Sequence, residues 1–349
     1  MTQSNLKFGI IGLGIGRNHL ASLQEIDGIQ IAAICDTNPD VLSRIQKQYD
    51  VPKSYTDGLK MLDKERFDAV VIATPNKFHA PFTIKAFERG AHVFCEKPMA
   101  MNTTEAIQMQ AAADAAGKKL MLNMSFRYTP AAFALKKQLE QGMLGDIYFA
   151  RTVWHRRRGI PKLGGWFSTK ALSGGGPLID LGVHRIDLAL WFMGTPEPVS
   201  VSASVFNPIG TQLAKEQNRT FDVEDLAVAF IRLENGAILT AEASWAVNRA
   251  EREFMETRLY GTKAGAVHRN VDQGYDFIAE AFCEENGYFV DKIYRNEFRP
   301  APKSIAHFID CIRNDREPIS SGKEGIKLMK ILDGIYESAR LGREISITA

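Results

Sequence analysis

Cysteine is scarce in this sequence, and the few cysteines are far apart. The four are Cys35, Cys95, Cys283 and Cys311, and no two of them form a C-x-x-C pair. That spacing excludes a disulfide framework and the usual cysteine-based zinc sites. We therefore expect a reduced chain that needs neither a disulfide nor a metal ion, and we predict no metal site.

The sequence also has no large excess of positive or negative charge, and it has no long hydrophobic run. The formal net charge is only +2 over 349 residues, which gives no basis for binding nucleic acid or a membrane surface. The longest apolar stretches, such as residues 69–73 and 188–193, are far shorter than the roughly 20 residues of a membrane span. Residues 1–5 are polar, so we expect no signal peptide and a cytoplasmic protein.

The first 124 residues alternate between two hydrophobic patterns. Short apolar runs rich in β-branched residues predict buried strands, and segments of helical spacing separate them. Asn38 before Pro39 is typical of a helix start, and Gly117 is typical of a helix end. This alternation predicts an α/β fold with a doubly wound parallel sheet. The predicted strands cover residues 6–11, 30–35, 67–73, 91–95 and 119–124, and the predicted helices cover residues 17–25, 39–48, 77–89 and 103–116.

The pattern changes near residue 124. Beyond it, strand-like segments follow one another and are joined by turn residues such as Asn235-Gly236, which predicts a largely antiparallel sheet. The length also favours two domains, which we place at residues 1–124 and 125–349. The predicted strands here cover residues 147–154, 199–205, 225–233, 237–246 and 253–260, and the predicted helices cover residues 130–141, 178–193, 304–313 and 323–340.

A glycine-rich loop joins the first predicted strand to the first helix. Glycines allow a tight turn there, and the backbone N–H groups of the helix start attract a pyrophosphate. We therefore assign Gly12, Gly14, Ile15 and Gly16 to cofactor binding. The loop departs from the dinucleotide fingerprint G-x-G-x-x-G because Arg17 occupies the third glycine position. A purely structural strand-to-helix turn is the alternative interpretation.

Asp36 ends the second strand, about twenty residues after the loop, where a carboxylate accepts hydrogen bonds from the adenosine ribose. The same carboxylate repels a ribose phosphate, and the next two residues, Thr37 and Asn38, are neutral. We therefore predict NAD as the cofactor, with NADP less favoured. The alternative for Asp36 is a helix cap beside Asn38.

Polar side chains follow the third and fourth strands. Ligands of open α/β sheets lie beyond the carboxyl ends of the strands, so residues at those ends face the expected cofactor. Each of these residues also has an ordinary interpretation, as a turn residue, a cap or a solvated charge. The cofactor-facing residues predicted at the two strand ends are Thr74, Asn76, His79, Glu96 and Lys97.

Four segments of the chain resemble the glucose–fructose oxidoreductase / inositol dehydrogenase / MocA (Gfo/Idh/MocA) family. They read GIIGLGIGRNHL, AICDTNPD, VVIATPNKFHAPFTIKAFERGAHVFCEKPMA and SGGGPLIDLGVHRIDLALWFMG, and the likeness continues in order to the end of the chain. The resemblance implies an N-terminal Rossmann domain and a C-terminal α/β domain with a large open sheet. It also implies a homodimer or homotetramer formed through that sheet.

Asp180 and His184 are four residues apart on one predicted helix and so share a face. On local grounds a helix-surface pair is the favoured interpretation. The resemblance implies instead that they act with Lys97 in catalysis. His184 has a suitable pKa for a general base, Lys97 offers a positive charge for a developing alkoxide, and Asp180 can hold a substrate hydroxyl. The sequence leaves open whether Lys97 or His184 takes the proton.

Aromatic and basic side chains supply the predicted substrate pocket. Aromatic rings stack on the C–H face of a sugar, and arginines bind hydroxyl, carboxylate or phosphate groups. A solvated charged turn is the alternative for the arginines after residue 155, and a core position is the alternative for Trp154. The predicted substrate residues are Arg127, Tyr128, Trp154, Arg157, Arg158 and Trp166, together with Asp180 and His184.

Three functions fit this set of residues. The first is an NAD-dependent dehydrogenase that oxidises a secondary hydroxyl of a sugar, glycoside or polyol. The second is glycoside cleavage through a transient keto-sugar, in which NAD is reduced and then reoxidised. The third is a non-catalytic NAD-binding sensor, against which the trio of Lys97, Asp180 and His184 argues. In each case we expect a small carbohydrate as the partner molecule, and neither nucleic acid nor membrane.

Overall fold

Buried β-branched residues build a parallel sheet in the first part of the chain. In the computed structural model, which describes residues 5–294 and 303–347, Ile10, Val70 and Val93 are fully buried in its central strands. The strand order β3-β2-β1-β4-β5-β6, all parallel, is the Rossmann order and confirms the predicted α/β sheet. The elements are β1 Leu6–Ile11, α1 Gly16–Gln24, β2 Ile29–Cys35, α2 Pro39–Gln48, β3 Lys53–Tyr55, α3 Gly58–Lys64, β4 Ala69–Ile72, α4 His79–Glu88, β5 His92–Cys95, α5 Thr103–Ala116 and β6 Leu120–Leu122.

Local signals explain the helix boundaries in this region. The Asn38 side chain accepts hydrogen bonds from the N–H groups of Asp40 and Val41, which confirms the predicted cap of α2. Gly117 ends α5 in the left-handed conformation, as predicted. The sequence led us to expect no signal peptide at the polar start of the chain. Residues 1–4 lie outside the described residues.

Nine strands form the second sheet. Their order is β14-β13-β12-β11-β7-β10-β9-β8-β15, and every pair is antiparallel except β7 with β10. This sheet confirms the predicted mostly antiparallel architecture. The remaining elements are α6 Pro130–Glu140, β7 Ile147–Arg156, α7 Lys170–Ser173, α8 Val183–Phe192, β8 Pro198–Phe206, α9 Pro208–Glu216, β9 Leu226–Leu233, β10 Ile238–Ser244, β11 Glu253–Gly261, β12 Gly265–Asn270, β13 Phe277–Glu285, β14 Tyr288–Tyr294, α10 Ser304–Arg313, α11 Gly322–Leu341 and β15 Ile345–Ser346.

The predicted helix over residues 178–193 is divided in the structure. A single π-helical turn, Leu178–Gly182, precedes the regular helix α8. The Glu224 carboxylate accepts the backbone N–H group of Gly176, just before this turn, and that of Leu178, at its first residue. Asp180 therefore lies in the π turn and His184 in α8, and turns of this kind are frequent at functional sites.

The chain forms two compact units, and the first contains two separate parts of the sequence. Unit 1 is Met1–Asn123 with Pro302–Ile326, and unit 2 is Met124–Ala301 with Lys327–Ala349. The division predicted at residue 124 placed the late segment in the second domain. In the structure the Leu122 N–H donates to the Ser320 carbonyl (2.9 Å), and the Ser320 hydroxyl donates back to the Leu122 carbonyl (2.7 Å). The late segment thus completes the edge of the parallel sheet beside β6.

A buried ion pair lies in the core of unit 2. The Arg127 guanidinium donates from Nε and Nη2 to the two carboxylate oxygens of Asp187, at 2.8 and 2.7 Å. Their side chains are only 1% and 6% exposed, and the guanidinium also lies over the Trp191 ring. The Arg127 guanidinium is therefore held inside the unit by Asp187, and its role as a substrate residue stays a prediction. Tyr128, predicted with it, is also buried.

None of the helices in residues 5–294 and 303–347 combines the length and apolar character that crossing a bilayer requires.

Replacing Asp187 with alanine will strongly destabilise unit 2. The Arg127 guanidinium would remain buried without its carboxylate, and losing one partner of a buried pair costs about 3–5 kcal/mol. Urea unfolding followed by far-UV circular dichroism measures the change as a lower midpoint. The matched control is Glu337→Ala, which breaks the exposed pair with Arg340 and should leave the midpoint nearly unchanged. Equal midpoints for the two variants would contradict a structural role for the Arg127 pair.

Candidate functional site

The glycine loop of unit 1 packs tightly against the end of β4. Gly12 has a φ of +90°, and a Cβ there would come within 2.3 Å of the Ala73 carbonyl oxygen. A Cβ on Gly16 would meet the Ala73 Cβ at 3.2 Å, whereas Gly14 has open space around it. Gly16 therefore provides the close helix–strand contact that the third glycine of the fingerprint normally provides. This explains why the exposed Arg17 is tolerated one position later.

Asp36 connects the end of β2 to the glycine loop. Its Oδ2 accepts the Leu13 N–H and its Oδ1 accepts the Asn38 N–H, both at 2.8 Å. The N-terminal cap of α2 is Asn38. Asp36 is therefore not the helix cap that was the alternative interpretation. Each carboxylate oxygen can accept a second hydrogen bond, and a ribose hydroxyl could supply it.

The residues after β4 divide into two groups. The Thr74 hydroxyl oxygen is buried and makes no hydrogen bond to any described residue, and Asn76 begins a short 3₁₀ turn, Asn76–Phe78. His79 is fully buried, with Nδ1 2.7 Å from the Pro98 carbonyl oxygen and Nε2 2.9 Å from that of Thr74. Burial lowers the pKa of His79, although these two carbonyls oppose the shift. Both ring nitrogens face backbone carbonyls, so His79 braces the two strand ends, and its contact with a cofactor stays a prediction.

Glu96 is the centre of a buried polar network at the end of β5. Its Oε1 accepts from His19 Nε2 (2.6 Å) and Asn123 Nδ2 (2.7 Å), and its Oε2 accepts the Lys97 N–H (3.3 Å). Burial opposes ionisation, but the hydrogen bonds and charge of His19, the Asn123 amide and the Lys97 charge outweigh it and lower the pKa of Glu96. The carboxylate thus holds the backbone of the half-buried Lys97 in place, and its own contact with a cofactor stays a prediction.

Unit 1 fits a dinucleotide cofactor on this geometry. The open space at Gly14 admits a pyrophosphate close to the backbone, and the α1 N-terminus adds partial positive charge. The unsatisfied Thr74 hydroxyl needs a hydrogen-bond partner that the described protein atoms do not provide. Ile15, at the start of α1, is 49% exposed. No three His, Cys, Asp or Glu side chains in the described part of the chain are grouped closely enough to hold a metal ion.

Asp180 and His184 lie among aromatic side chains in unit 2. Trp245, which is fully buried, donates from Nε1 to the Asp180 Oδ2 at 3.0 Å. The His184 ring is 8% exposed and meets Phe126 edge-on, with ring centroids 4.9 Å apart. The Trp154 ring lies 5.9 Å from His184 and meets Phe126 edge-on at 5.1 Å. Packing therefore fixes both predicted catalytic side chains of this unit.

The predicted substrate residues of unit 2 have different environments. Trp154 is buried, and its Nε1 donates to Glu253 at 2.7 Å. Trp166 is half-buried and stacks on Phe167. Arg157 and Arg158 are exposed. Arg158 donates to its neighbour's carbonyl and to Asn248, as expected of a solvated turn.

Sequence reasoning missed Arg156, Glu253, Tyr275, Trp245 and Glu224. Arg156, and not Arg157, shares the face of β7 with Trp154, because side chains alternate along a strand. This alternation was a usable signal. The partners Glu253 and Tyr275 are about a hundred residues away in sequence, and nothing local identifies them.

Comparison with known proteins agrees with both units. A family model described as "Oxidoreductase family, NAD-binding Rossmann fold" matches residues 6–124, and the "GFO/IDH/MocA C-terminal domain" model matches residues 133–267. D-glucoside 3-dehydrogenase of Escherichia coli (strain K12) is 32% identical over 358 residues, covering 99% of each chain.

Solved structures show the same architecture. The aldose-aldose oxidoreductase from Caulobacter crescentus, complexed with glycerol, superposes with a TM-score of 0.81 at 27% identity, covering 98% of this chain and 99% of that one. Levoglucosan dehydrogenase in complex with NADH has a TM-score of 0.86 at 23% identity over 99% and 100% of the two chains, a likeness of fold. The chain thus belongs to the Gfo/Idh/MocA family of oxidoreductases.

Proposed function

We propose that this oxidoreductase is an NAD-dependent dehydrogenase that oxidises a secondary hydroxyl group of a sugar, glycoside or polyol. The observation that carries the proposal is the position of Lys97. It follows β5 at the carboxyl edge of the parallel sheet, where ligands of such sheets lie, and the buried Glu96 carboxylate holds its backbone. A lysine fixed there by an ionised carboxylate is suited to chemistry beside a bound dinucleotide.

The proton of the oxidised hydroxyl has to leave as the carbinol C–H bond breaks, and NAD, when bound, accepts the hydride at its nicotinamide C4. Two residues are candidates for removing that proton: His184, because imidazole is a suitable base near neutral pH, and Lys97, whose ammonium group would stabilise developing alkoxide charge. Asp180, held by Trp245, positions the substrate hydroxyl. Gly12, Gly14, Ile15, Gly16, Thr74 and Asn76 would bind the cofactor.

The relatives support the substrate class. One is named a D-glucoside 3-dehydrogenase, and another, 28% identical over 330 residues, is named a levoglucosan dehydrogenase. Both names describe oxidation of a sugar derivative. The aromatic surroundings of His184 suit the C–H face of a sugar ring.

Asp36 supports NAD over NADP. Its carboxylate is fixed by two backbone N–H groups at the edge where the adenosine ribose would lie, and a 2′-phosphate would meet its negative charge. A panel of monosaccharides, inositols, anhydrosugars and glycosides, assayed at the NADH absorbance band with each cofactor, tests both proposals. We expect kcat/KM to favour NAD, and Asp36→Ala to reduce that preference.

Silence across the panel, from a protein shown to bind NAD, would refute the dehydrogenase. Cleavage of a glycoside without net NADH would identify the transient-oxidation reaction instead. A wild-type preference for NADP would refute the role given to Asp36.

Replacing Lys97 or His184 with alanine should lower kcat by about a hundred- to ten-thousandfold, the usual loss for a general acid–base group. Both kcat and kcat/KM should fall, because the stabilised charge exists only in the transition state. The Kd for NAD, measured by calorimetry, should change little. Lys60→Ala, at an exposed site of unit 1, is the control. Full kcat in His184→Ala would show that this histidine is structural.

We also propose that the second sheet mediates a homodimer or homotetramer. The large side chains Val228, Tyr260 and Phe282 are 37–39% exposed and lie on one face of the sheet, opposite to Trp154. Burying such a face is favourable by roughly 25 cal/mol per Å² of apolar surface. Light scattering should therefore report a multiple of 38.9 kDa, and a monomer mass at micromolar concentration would contradict the proposal.

A further inference from the structure

Four side chains form a hydrogen-bonded cluster where β7 ends and β11 begins. Oε1 of Glu253 accepts three hydrogen bonds, from Trp154 Nε1 at 2.7 Å, from Arg156 Nε at 2.9 Å and from the Tyr275 hydroxyl at 3.0 Å. Arg156 Nη2 also donates to the Tyr275 hydroxyl at 2.8 Å. One carboxylate oxygen thus fixes an indole, a guanidinium and a phenol relative to one another.

Strand register places this cluster beside the proposed catalytic histidine of the same unit. Arg156 pairs with Glu253 across β7 and β11, and Trp154 lies two residues before Arg156 on the same face. The Trp154 ring is 5.9 Å from His184, and the Arg156 guanidinium lies over that indole at 5.4 Å. The cluster is therefore next to His184 through the ring of its own member Trp154.

Two polar groups of the cluster have no hydrogen-bond partner among the described residues. Arg156 Nη1 and Glu253 Oε2 make no hydrogen bond with any described residue, although their side chains are only 23% and 15% exposed. They offer a donor and an acceptor on neighbouring side chains. Tyr275, 56% exposed, adds an aromatic face. A donor, an acceptor and an aromatic face together match adjacent hydroxyl groups on a sugar ring.

The charges of the cluster nearly cancel. Burial opposes the charge of Arg156, but the Glu253 hydrogen bond, together with the Tyr275, Glu253 and Asp180 charges, outweighs burial and raises its pKa. The guanidinium is thus already paired with one carboxylate and near a second. Like charges placed together in a partly buried site are costly, so a ligand carboxylate or phosphate would meet repulsion from Glu253 that Arg156 no longer offsets.

We propose that Arg156, Glu253 and Tyr275 form a specificity subsite that binds adjacent neutral hydroxyl groups of the substrate and rejects sugar acids and sugar phosphates through Glu253. The proposal rests on the proposed function for its substrate class. It identifies Glu253 as the residue that decides between a hydroxymethyl group and a carboxylate at that position of the sugar.

The experiment compares methyl glucoside with methyl glucuronide, which differ by one carboxylate. Their Kd values are measured by tryptophan fluorescence and calorimetry in the presence of NAD, and their turnover is measured separately. Wild type should bind the glucoside more tightly. Glu253→Gln keeps an oxygen acceptor but removes the charge, and should shift the ratio of Kd values towards the glucuronide by about ten- to a hundredfold, the value of one charged contact.

Two further variants complete the test. Glu280 forms a similar pair on the opposite face of the sheet, where Arg269 Nε lies 2.8 Å from its carboxylate. Glu280→Gln is therefore the matched control, and it should leave the ratio of Kd values unchanged. Tyr275→Phe keeps the aromatic face but removes the hydroxyl that bonds both Arg156 and Glu253. Because the side chain is exposed we expect this variant to fold, and because Arg156 and Glu253 are then held less firmly we expect it to bind the glucoside several-fold more weakly.

An unchanged ratio in Glu253→Gln, an equal shift in Glu280→Gln, or unaltered glucoside binding in Tyr275→Phe would overturn the subsite. So would the absence of binding of either sugar to wild type and to Glu253→Gln. If the Kd ratio shifts as expected but neither sugar is turned over, the subsite proposal is supported and the dehydrogenase proposal is refuted. The failure of one proposal can thus be distinguished from the failure of the other.

Discussion

The buried carboxylate of Glu96 is the constraint on which the ligand edge of unit 1 depends. Through His19 it fixes the helix that follows the glycine loop, through Asn123 it fixes the residue after β6, and through a backbone N–H it fixes Lys97. Asn123 in turn accepts a hydrogen bond from Ser304 in the late segment of the unit. An ionised group is costly to bury unless all these partners are present, so the network forms completely and the separate strand ends take one arrangement.

Unit 2 uses a second buried carboxylate for the same purpose. Glu224 accepts the N–H groups of Gly176 and Leu178 and the hydroxyl of Tyr336, which fixes the chain just before Asp180. A Cβ on Gly175 would lie on the Tyr336 hydroxyl and one on Gly176 would lie on the Glu224 carbonyl, which explains the run of glycines. Here burial raises the pKa of the Glu224 carboxyl, although the hydrogen bonds that it accepts oppose the shift.

The sequence predicts those element bounds that are determined by residues close together in the chain. The bounds of β1, α2 and α5 follow from apolar runs, from the cap at Asn38 and from Gly117, and the structure confirms them. It does not predict contacts between residues that are far apart in the chain. The partner of Arg127 is 60 positions away, so its basic character suggested a ligand where the fold supplies Asp187. The short β3 and β12 and the partly exposed β13 and β14 have sequence patterns too weak to predict a strand, and their pairing across the sheet defines them.

The late segment has a consequence for the order in which the protein is made. The ribosome releases β1 to β6 early, but the hydrogen bonds from Leu122 to Ser320 form only when nearly the whole chain has been synthesised. A nascent chain therefore holds an incomplete nucleotide-binding unit with an open sheet edge while β7 to β14 of the second sheet are translated. An isolated fragment cut at residue 124 would keep that edge permanently, which makes it a poor substitute for the unit in the full protein.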